Sequence, residues 1–513
     1  MRGACARMLL GLLALPGLAQ AQAQAQPRTP PAPPEALIAY FAQVRQAEVI
    51  QDPEQRCLAY PDLPDNAWPA GAAQSRCLTV RAPVLPLAEI ESRLATADGG
   101  AWLEQRLDEM LDANDEPRER DRIFAVLNLF DASERAGSVA TLWLRQMPQS
   151  PFALTAMGKH RAAQGWASRG TQYVYKTSDA QLQRMRQLFA GAAPLLSDAL
   201  EREPRLTPAC VALAEIGRQS SDTLQRSALE QCLQADPLSY YVVWEWMNSA
   251  TPKWGGSMEA MDMVAAYIRQ RGPENPTLYS LLSQPPGYEA SLMDKYADGQ
   301  EGFVAASRAG PGAYMMSKAG YAYWAKDDPW MALVYWSQAM RFWPDDMEVR
   351  GMRGRALHHV RDYAWAVKDL LPAAAADGSD LELQYATGST LLELRRFEES
   401  RPYLLRAQKQ PGRQLAALER YCFTWINYWE GLKTKQARDC TAALVSQVPT
   451  HGEYWGWRYT TLSASRDERW VEAAGQFLLY ANPRDPRQQA LKKDLLASGV
   501  QPAKSGSGKR GNP

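Results

Sequence analysis

Residues 313–346, AYMMSKAGYAYWAKDDPWMALVYWSQAMRFWPDD, are followed by 347–380, MEVRGMRGRALHHVRDYAWAVKDLLPAAAADGSD, and by 381–412, LELQYATGSTLLELRRFEESRPYLLRAQKQPG. Aligned in this way, the three stretches repeat with a step of 34 residues, seen in Gly320, Gly354 and Gly388 (354 − 320 and 388 − 354). Ala332, Ala366 and Ser400 keep the same step, as do Trp336, Leu370 and Leu404, then Ala339, Ala373 and Ala407, and the pair Tyr363 and Phe397. Small residues at fixed places with bulky ones between them are the mark of stacked helical hairpins. The small positions let two helices approach closely, and the bulky ones are expected to fill the gap between neighbouring hairpins. The fold class that follows is all-α, a helical-hairpin solenoid.

Within the first stretch, Gly320, Tyr323, Ala332, Trp336, Ala339 and Pro344 match the pattern of the tetratricopeptide repeat, so the region resembles that family. The resemblance implies that the first helix of each hairpin lines a concave groove. Carried over by position, it names Tyr314, Tyr321 and Trp324 in the first repeat, Arg355, His358 and His359 in the second, and Tyr385, Ser389 and Glu393 in the third. That mixture of rings, a cation, imidazoles and an acid suits an extended peptide. The asparagines and lysines of a carboxylate clamp are missing. Residues 416–448 read as a fourth hairpin with a longer loop, 453–481 as a fifth, and 485–498 as the capping helix that an array needs. The array is thus expected over 313–483, with a disordered Gly/Ser/Lys-rich tail over 499–513.

At the other end, Arg2 and Arg7 precede an apolar run over 8–18 that is too short to span a bilayer. Ala19, Ala21, Ala23 and Ala25 alternate with glutamines and offer A-x-A cleavage sites, so residues 1–25 read as a secretory signal peptide. Cys5 precedes the apolar run and is not placed as a lipid acceptor. The mature chain is expected to be periplasmic or secreted, with no later transmembrane segment. Residues 26–35 are a Pro-rich linker, and 36–115 a helical region with an irregular stretch over 51–86.

Six of the seven cysteines remain after the signal, in the local pairs Cys57–Cys77, Cys210–Cys232 and Cys422–Cys440. Ser221 and Gly431 bisect the second and third pairs, as expected for cysteines facing each other across a helical hairpin. An oxidising compartment favours disulfides at these sites, each worth about 3 kcal/mol in the chain-entropy model. Zinc is disfavoured because no C-x-x-C or nearby His spacing occurs.

Residues 116–300 carry a second pattern. Trp166-Ala167-x-Arg169-Gly170 is followed at a distance by Pro252-Lys253-Trp254-Gly255-Gly256-Ser257. Over about 124–296 this is similar to the domain-of-unknown-function 4034 family, which implies a bacterial protein often carrying tetratricopeptide repeats and no established reaction. The residues themselves suggest an inter-helix corner pinned by an indole, with Gly255-Gly256 making a sharp turn. The alternative is a pocket in which Arg169 and Lys253 meet an anionic ligand beside Trp166 and Trp254. A helix is expected to end near Ala163, and residues 272–312, rich in Gly and Pro, read as a linker or poorly regular hairpin.

The formal net charge is zero, with 57 basic and 57 acidic residues, so no electrostatic footprint for nucleic acid is present. The four histidines, His160, His358, His359 and His451, form no H-E-x-x-H, and no G-x-S-x-G elbow or phosphate loop occurs. Glu398 and Glu399 fall on a solvated face. No cofactor, metal or catalytic constellation is expected. Three functions stay open: an exported scaffold binding a partner protein, an envelope polysaccharide or peptidoglycan factor using some of the 17 tryptophans as platforms, and an enzyme with a site near Trp166 and Trp254.

Overall fold

The computed structural model describes residues 32–80, 85–171 and 176–503. The signal segment, most of the Pro-rich linker and the end of the tail lie outside the described residues. Every regular element among those described is a helix. Two compact units result, one spanning 34–346 and the other beginning at Met347.

In the second unit the hairpins are Met347–His359 with Tyr363–Ala376, Leu381–Glu393 with Phe397–Ala407, Gln414–Ile426 with Lys435–Gln447, and Gly452–Ala464 with Trp470–Tyr480. Each pair packs on the next, and Pro486–Ala497 lies against the last. In the first unit, Ala313–Ala325 and Pro329–Phe342 form the same hairpin. The fold is therefore a tetratricopeptide-like solenoid of helical hairpins.

The recurring glycine and bulky residue are partners. A Cβ on Gly320 would lie 2.5 Å from Trp336, one on Gly354 2.8 Å from Leu370, and one on Gly388 2.7 Å from Leu404. The bulky side chain thus fills the space inside its own hairpin, not the gap between hairpins that the spacing suggested. The turn keeps the period too. Asp327, Arg361 and Arg395 have φ of 61°, 64° and 59°. After each, a backbone N–H reaches back into the first helix, as Asp362 does to the Leu357 carbonyl at 2.8 Å and Arg396 to Leu391 at 2.8 Å. Arg466, with φ 55°, makes the same turn in the last hairpin.

The first repeat has a cover. Helix Pro329–Phe342 is buried at every position from Ala332 to Phe342, including Gln338 and Arg341. A helix apolar on nearly all sides needs neighbours on more than one face. Here the neighbour is the N-terminal segment, made of helix Glu35–Ala47, whose Tyr40 and Phe41 meet Val334 and Trp330, and of the short helices Pro53–Ala59 and Ala72–Cys77, joined by the Cys57–Cys77 disulfide. Arg341 donates to the Cys57 carbonyl at 2.9 Å and to Asp62 at 2.7 Å, while Gln338 donates to the Pro61 carbonyl at 2.7 Å. The buried Arg and Gln thus supply donors to carbonyls of this segment.

Disulfides also join Cys210 to Cys232, between helices Thr207–Ser220 and Asp222–Ala235, and Cys422 to Cys440 in the fourth hairpin. Two expectations need correction. Helix Pro151–Arg169 does not stop near Ala163; it runs on until Gly170, whose φ of 73° ends it, so Trp166 and Arg169 are helical. Residues 272–312 are not a linker. The 3₁₀ helix Pro276–Ser283 is buried from Thr277 onward, and helices Gln284–Ser291 and Gln300–Ala309 pack beside it. Pro276 and Pro285 occupy first-turn positions, where proline is compatible with a helix.

Candidate functional sites

On helix Ala313–Ala325, Tyr314 is 46 % exposed and Tyr321 half-buried. Lys318, one turn from each, holds its ammonium 5.0 Å from the Tyr296 ring, 5.1 Å from Tyr314 and 5.4 Å from Tyr321. Tyr296 and Tyr321 stack at 5.1 Å. A cation held over ring faces is attracted by their quadrupoles, and this one braces three tyrosines into a fixed surface. Trp324 leans on the buried Trp336 at 6.1 Å and is half-buried itself.

In the second unit, helix Leu381–Glu393 presents Tyr385 and Glu393 to Arg420 of helix Gln414–Ile426. The Arg420 guanidinium donates to the Tyr385 hydroxyl at 3.0 Å and lies 3.4 Å from Glu393, and Arg413 sits 5.1 Å from the Tyr385 ring. His359 is exposed, and Arg355 is half-buried along Met352. One expected contact residue is not a surface group, and another is half-buried and engaged. Ser389 is fully buried and its hydroxyl has no partner. His358 shares a 2.8 Å hydrogen bond with Thr390, and burial, with the nearby charges of Arg420 and His359, pulls its pKa down to about 4. Position within the repeat alone does not fix the depth of Ser389. Lys318, Tyr296, Arg413 and Arg420 were not singled out. Lys318 was legible by its four- and three-residue spacing from Tyr314 and Tyr321, whereas the longer loop of the fourth hairpin hid the arginines.

The first unit holds a different kind of place. Trp166 meets Trp254 edge to face, 6.3 Å apart at 73°. Trp254 lies in the 3₁₀ turn Pro252–Trp254, closed by Gly255 at φ 87° and by Gly256, where a Cβ would fall 2.0 Å from the Ala250 carbonyl. The Lys253 backbone N–H donates to the Tyr288 hydroxyl at 2.9 Å, and the Lys253 ammonium lies 5.6 Å from the Trp254 ring. Arg169 donates to the Gly170 carbonyl at 3.3 Å.

Between the indoles stands Arg218, 5.7 Å from the Trp166 ring and 5.1 Å from Trp254. It is paired with Glu245, a carboxylate with no solvent exposure, which also accepts from Ser249 at 3.1 Å. Burial pushes the Glu245 pKa up to about 7; Arg218 opposes that rise and the charge of Glu215 adds to it. Glu215 also faces Lys159, whose pKa burial lowers. Sequence reading missed Arg218 and Glu245. The available signal was a lone charge in an apolar helix, as in YYVVWEWMNS.

Comparison with known proteins finds no family model and no curated protein that matches this sequence. The likeness of residues 124–296 to the domain-of-unknown-function 4034 family thus rests on the quoted motifs alone. Among solved structures, the chain is similar to the TPR domain of P58(IPK), at 11 % identity over 77 % of this chain and 99 % of that one, with a TM-score of 0.23. It is also similar to the APC/C hetero-tetramer Cut9–Hcn1, at 11 % identity over 90 % of this chain and 93 % of that one, with a TM-score of 0.28. Values of this size say nothing about partners or function.

Proposed function

We propose that the protein is an exported, non-enzymatic scaffold that binds a partner protein through the first-helix faces of its hairpins. The observation that carries this reading is the braced tyrosine surface of Tyr296, Tyr314 and Tyr321 around Lys318. Large rings held rigidly at the surface are the groups that supply most of the energy at protein interfaces, because little side-chain entropy is lost on contact. The Tyr385, Arg413 and Arg420 group offers rings and charge of the same kind on the other unit. Three disulfides support export, since such bonds persist in oxidising compartments. No helix among the described residues is long and apolar enough to cross a membrane.

Trp143 and Trp336 are buried in the core, whereas Trp244, Trp343 and Trp429 are exposed, so the tryptophans by themselves do not separate a scaffold from a sugar platform. The test is capture from a cell-envelope extract by the wild type, by Tyr314→Ala with Tyr321→Ala, and by a Leu405→Ala control on a second helix. Loss of the same partners from the tyrosine variant alone is the expected result. Partners retained by all three proteins would refute the proposal.

A further inference from the structure

We propose that the groove between helices Glu134–Gln146 and Pro151–Arg169 is a second docking site, and that its occupant is a short extended peptide with a carboxylate at one end and a cation at the other. The groove has a volume of about 730 Å³, within the size range of ligand sites. Each wall is one stripe of a helix. Glu134, Ser138, Thr141 and Arg145 recur every three or four residues on the first, and Met157, His160 and Gln164 do so on the second. The two helices meet where Gly137 faces His160: a Cβ on that glycine would lie 2.5 Å from the imidazole Nε2.

The first argument is charge. Glu134 and Arg145 are 11 residues apart on their stripe. At 1.5 Å per residue this is about 16 Å, too far for them to meet. Both are exposed, and among the described residues neither has an ion pair or a side-chain hydrogen bond. Arg135, beside Glu134 in sequence, meets Glu91 at 2.7 Å instead. Arg161 lines the same groove, but its Nη1 donates to the Gly191 carbonyl at 2.9 Å and not to Glu134. A ligand with a carboxylate near Arg145 and a cation near Glu134 would complete both ends with charge-assisted hydrogen bonds.

The second argument is what lies between the charges. Leu142 and Met157 supply an apolar middle. The Ser138 and Thr141 hydroxyls donate to carbonyls of their own helix, Glu134 at 2.9 Å and Gly137 at 2.7 Å, so toward a ligand they can only accept. His160 Nδ1 lies 2.6 Å from the Asp131 carbonyl, which has no proton to give. Nδ1 is therefore the donor, and the neutral ring keeps a lone pair on Nε2. Acceptors beside an acid do not suit phosphate or sulfate, whose ionised oxygens bring no donor. A helical partner has already spent its N–H groups on itself. An extended peptide offers one at every residue, and the Gln164 amide can serve either its N–H or its C=O. Length agrees: at about 3.3 Å per residue, five residues span the stripe. The first, third and fifth side chains of such a strand point the same way, matching acid, apolar residue and base to Arg145, Leu142 and Glu134.

The test uses the full chain and capped pentapeptides: Glu-Ala-Leu-Ala-Lys, the same peptide with Ala in place of Glu, the same with Ala in place of Lys, and each in reversed order, with inorganic phosphate as a further probe. Saturation-transfer NMR reports binding. One order of the doubly charged peptide should bind in roughly the millimolar range, and each singly charged peptide about tenfold more weakly, the loss expected for one charge-assisted contact. Arg145→Gln should erase the advantage of the peptide's Glu and keep that of its Lys; Glu134→Gln should do the reverse. The retained half shows in each variant that the groove is intact. The proposal is overturned if neither order binds, if phosphate or a singly charged peptide binds as well, or if both advantages survive in either variant. None of these outcomes bears on the tyrosine surface, which the capture experiment tests separately.

Discussion

Two buried arginine–carboxylate pairs show how differently the two units are put together. Arg353 and Asp369 lie in the second hairpin of the 34-residue series, 2 % and 4 % exposed, and meet through two bonds, Nε to Oδ2 at 2.7 Å and Nη2 to Oδ1 at 2.9 Å. Trp365 lies beneath the guanidinium at 5.3 Å. Arg218 and Glu245 are as deeply buried, yet Arg218 Nε and Glu245 Oε2 remain unpaired. The fork-on-fork pair is closed and holds one hairpin together. The half-made pair leaves capacity for something else. The two pairs thus differ in the completeness of their hydrogen bonding and not in the depth of their burial.

The comparison breaks most visibly at Asp369. Asp369→Ala strands a buried guanidinium and should lower stability by about 3–5 kcal/mol in urea melts. Glu245→Gln should cost less, roughly 1 kcal/mol, because that carboxyl already tends toward its neutral form. Equal losses would mean that the two pairs are equally structural. Next in size is Gly354→Ala, whose new methyl would press on Leu370 in the same hairpin, at a cost of about 1–3 kcal/mol. A neutral result there would undo the claim that the periodic glycine is set by its facing side chain.

Acidity sharpens the contrast, since the two units hold oppositely shifted groups. The Glu245 pKa is raised by burial from 4.5 to about 7, so its contribution to stability is complete below its unfolded value and fades as pH rises through about 7. His358 is shifted the other way, from 6.5 to about 4, so its contribution is complete above 6.5 and is lost as pH falls through about 4. Urea midpoints between these limits should become flatter on the acid side in His358→Gln, and flatter on the neutral side in Glu245→Gln. Unchanged profiles in both variants would contradict these assignments. The smallest effect belongs to the turn: Arg361→Gly relieves a left-handed backbone and should stabilise by up to about 1 kcal/mol.

The solenoid was legible because its signal is repeated. One glycine at 320 says little, but the same residue 34 and 68 places later, with a bulky side chain at a fixed distance, describes a hairpin. The turn residues kept the period as well, though Asp327, Arg361 and Arg395 share no chemistry that would mark a left-handed conformation. The corner at Trp166 was only half legible. Its aromatic residues stand in short motifs, whereas Arg218 and Glu245 reach it from helices that the motifs do not include. The cover over helix Pro329–Phe342 was not read, although its long apolar runs asked for one. Ser389 was misplaced because repeat position does not fix how far a helix is rotated toward its neighbour.

The most direct test of the central claim is photo-crosslinking in the intact envelope, with the reactive side chain placed singly at Tyr314, His359 and Tyr385 on first helices and at Leu405 on a second helix. The account predicts a common protein adduct from first-helix positions and none from Leu405. Adducts of equal yield from all four positions, or from Leu405 alone, would contradict it.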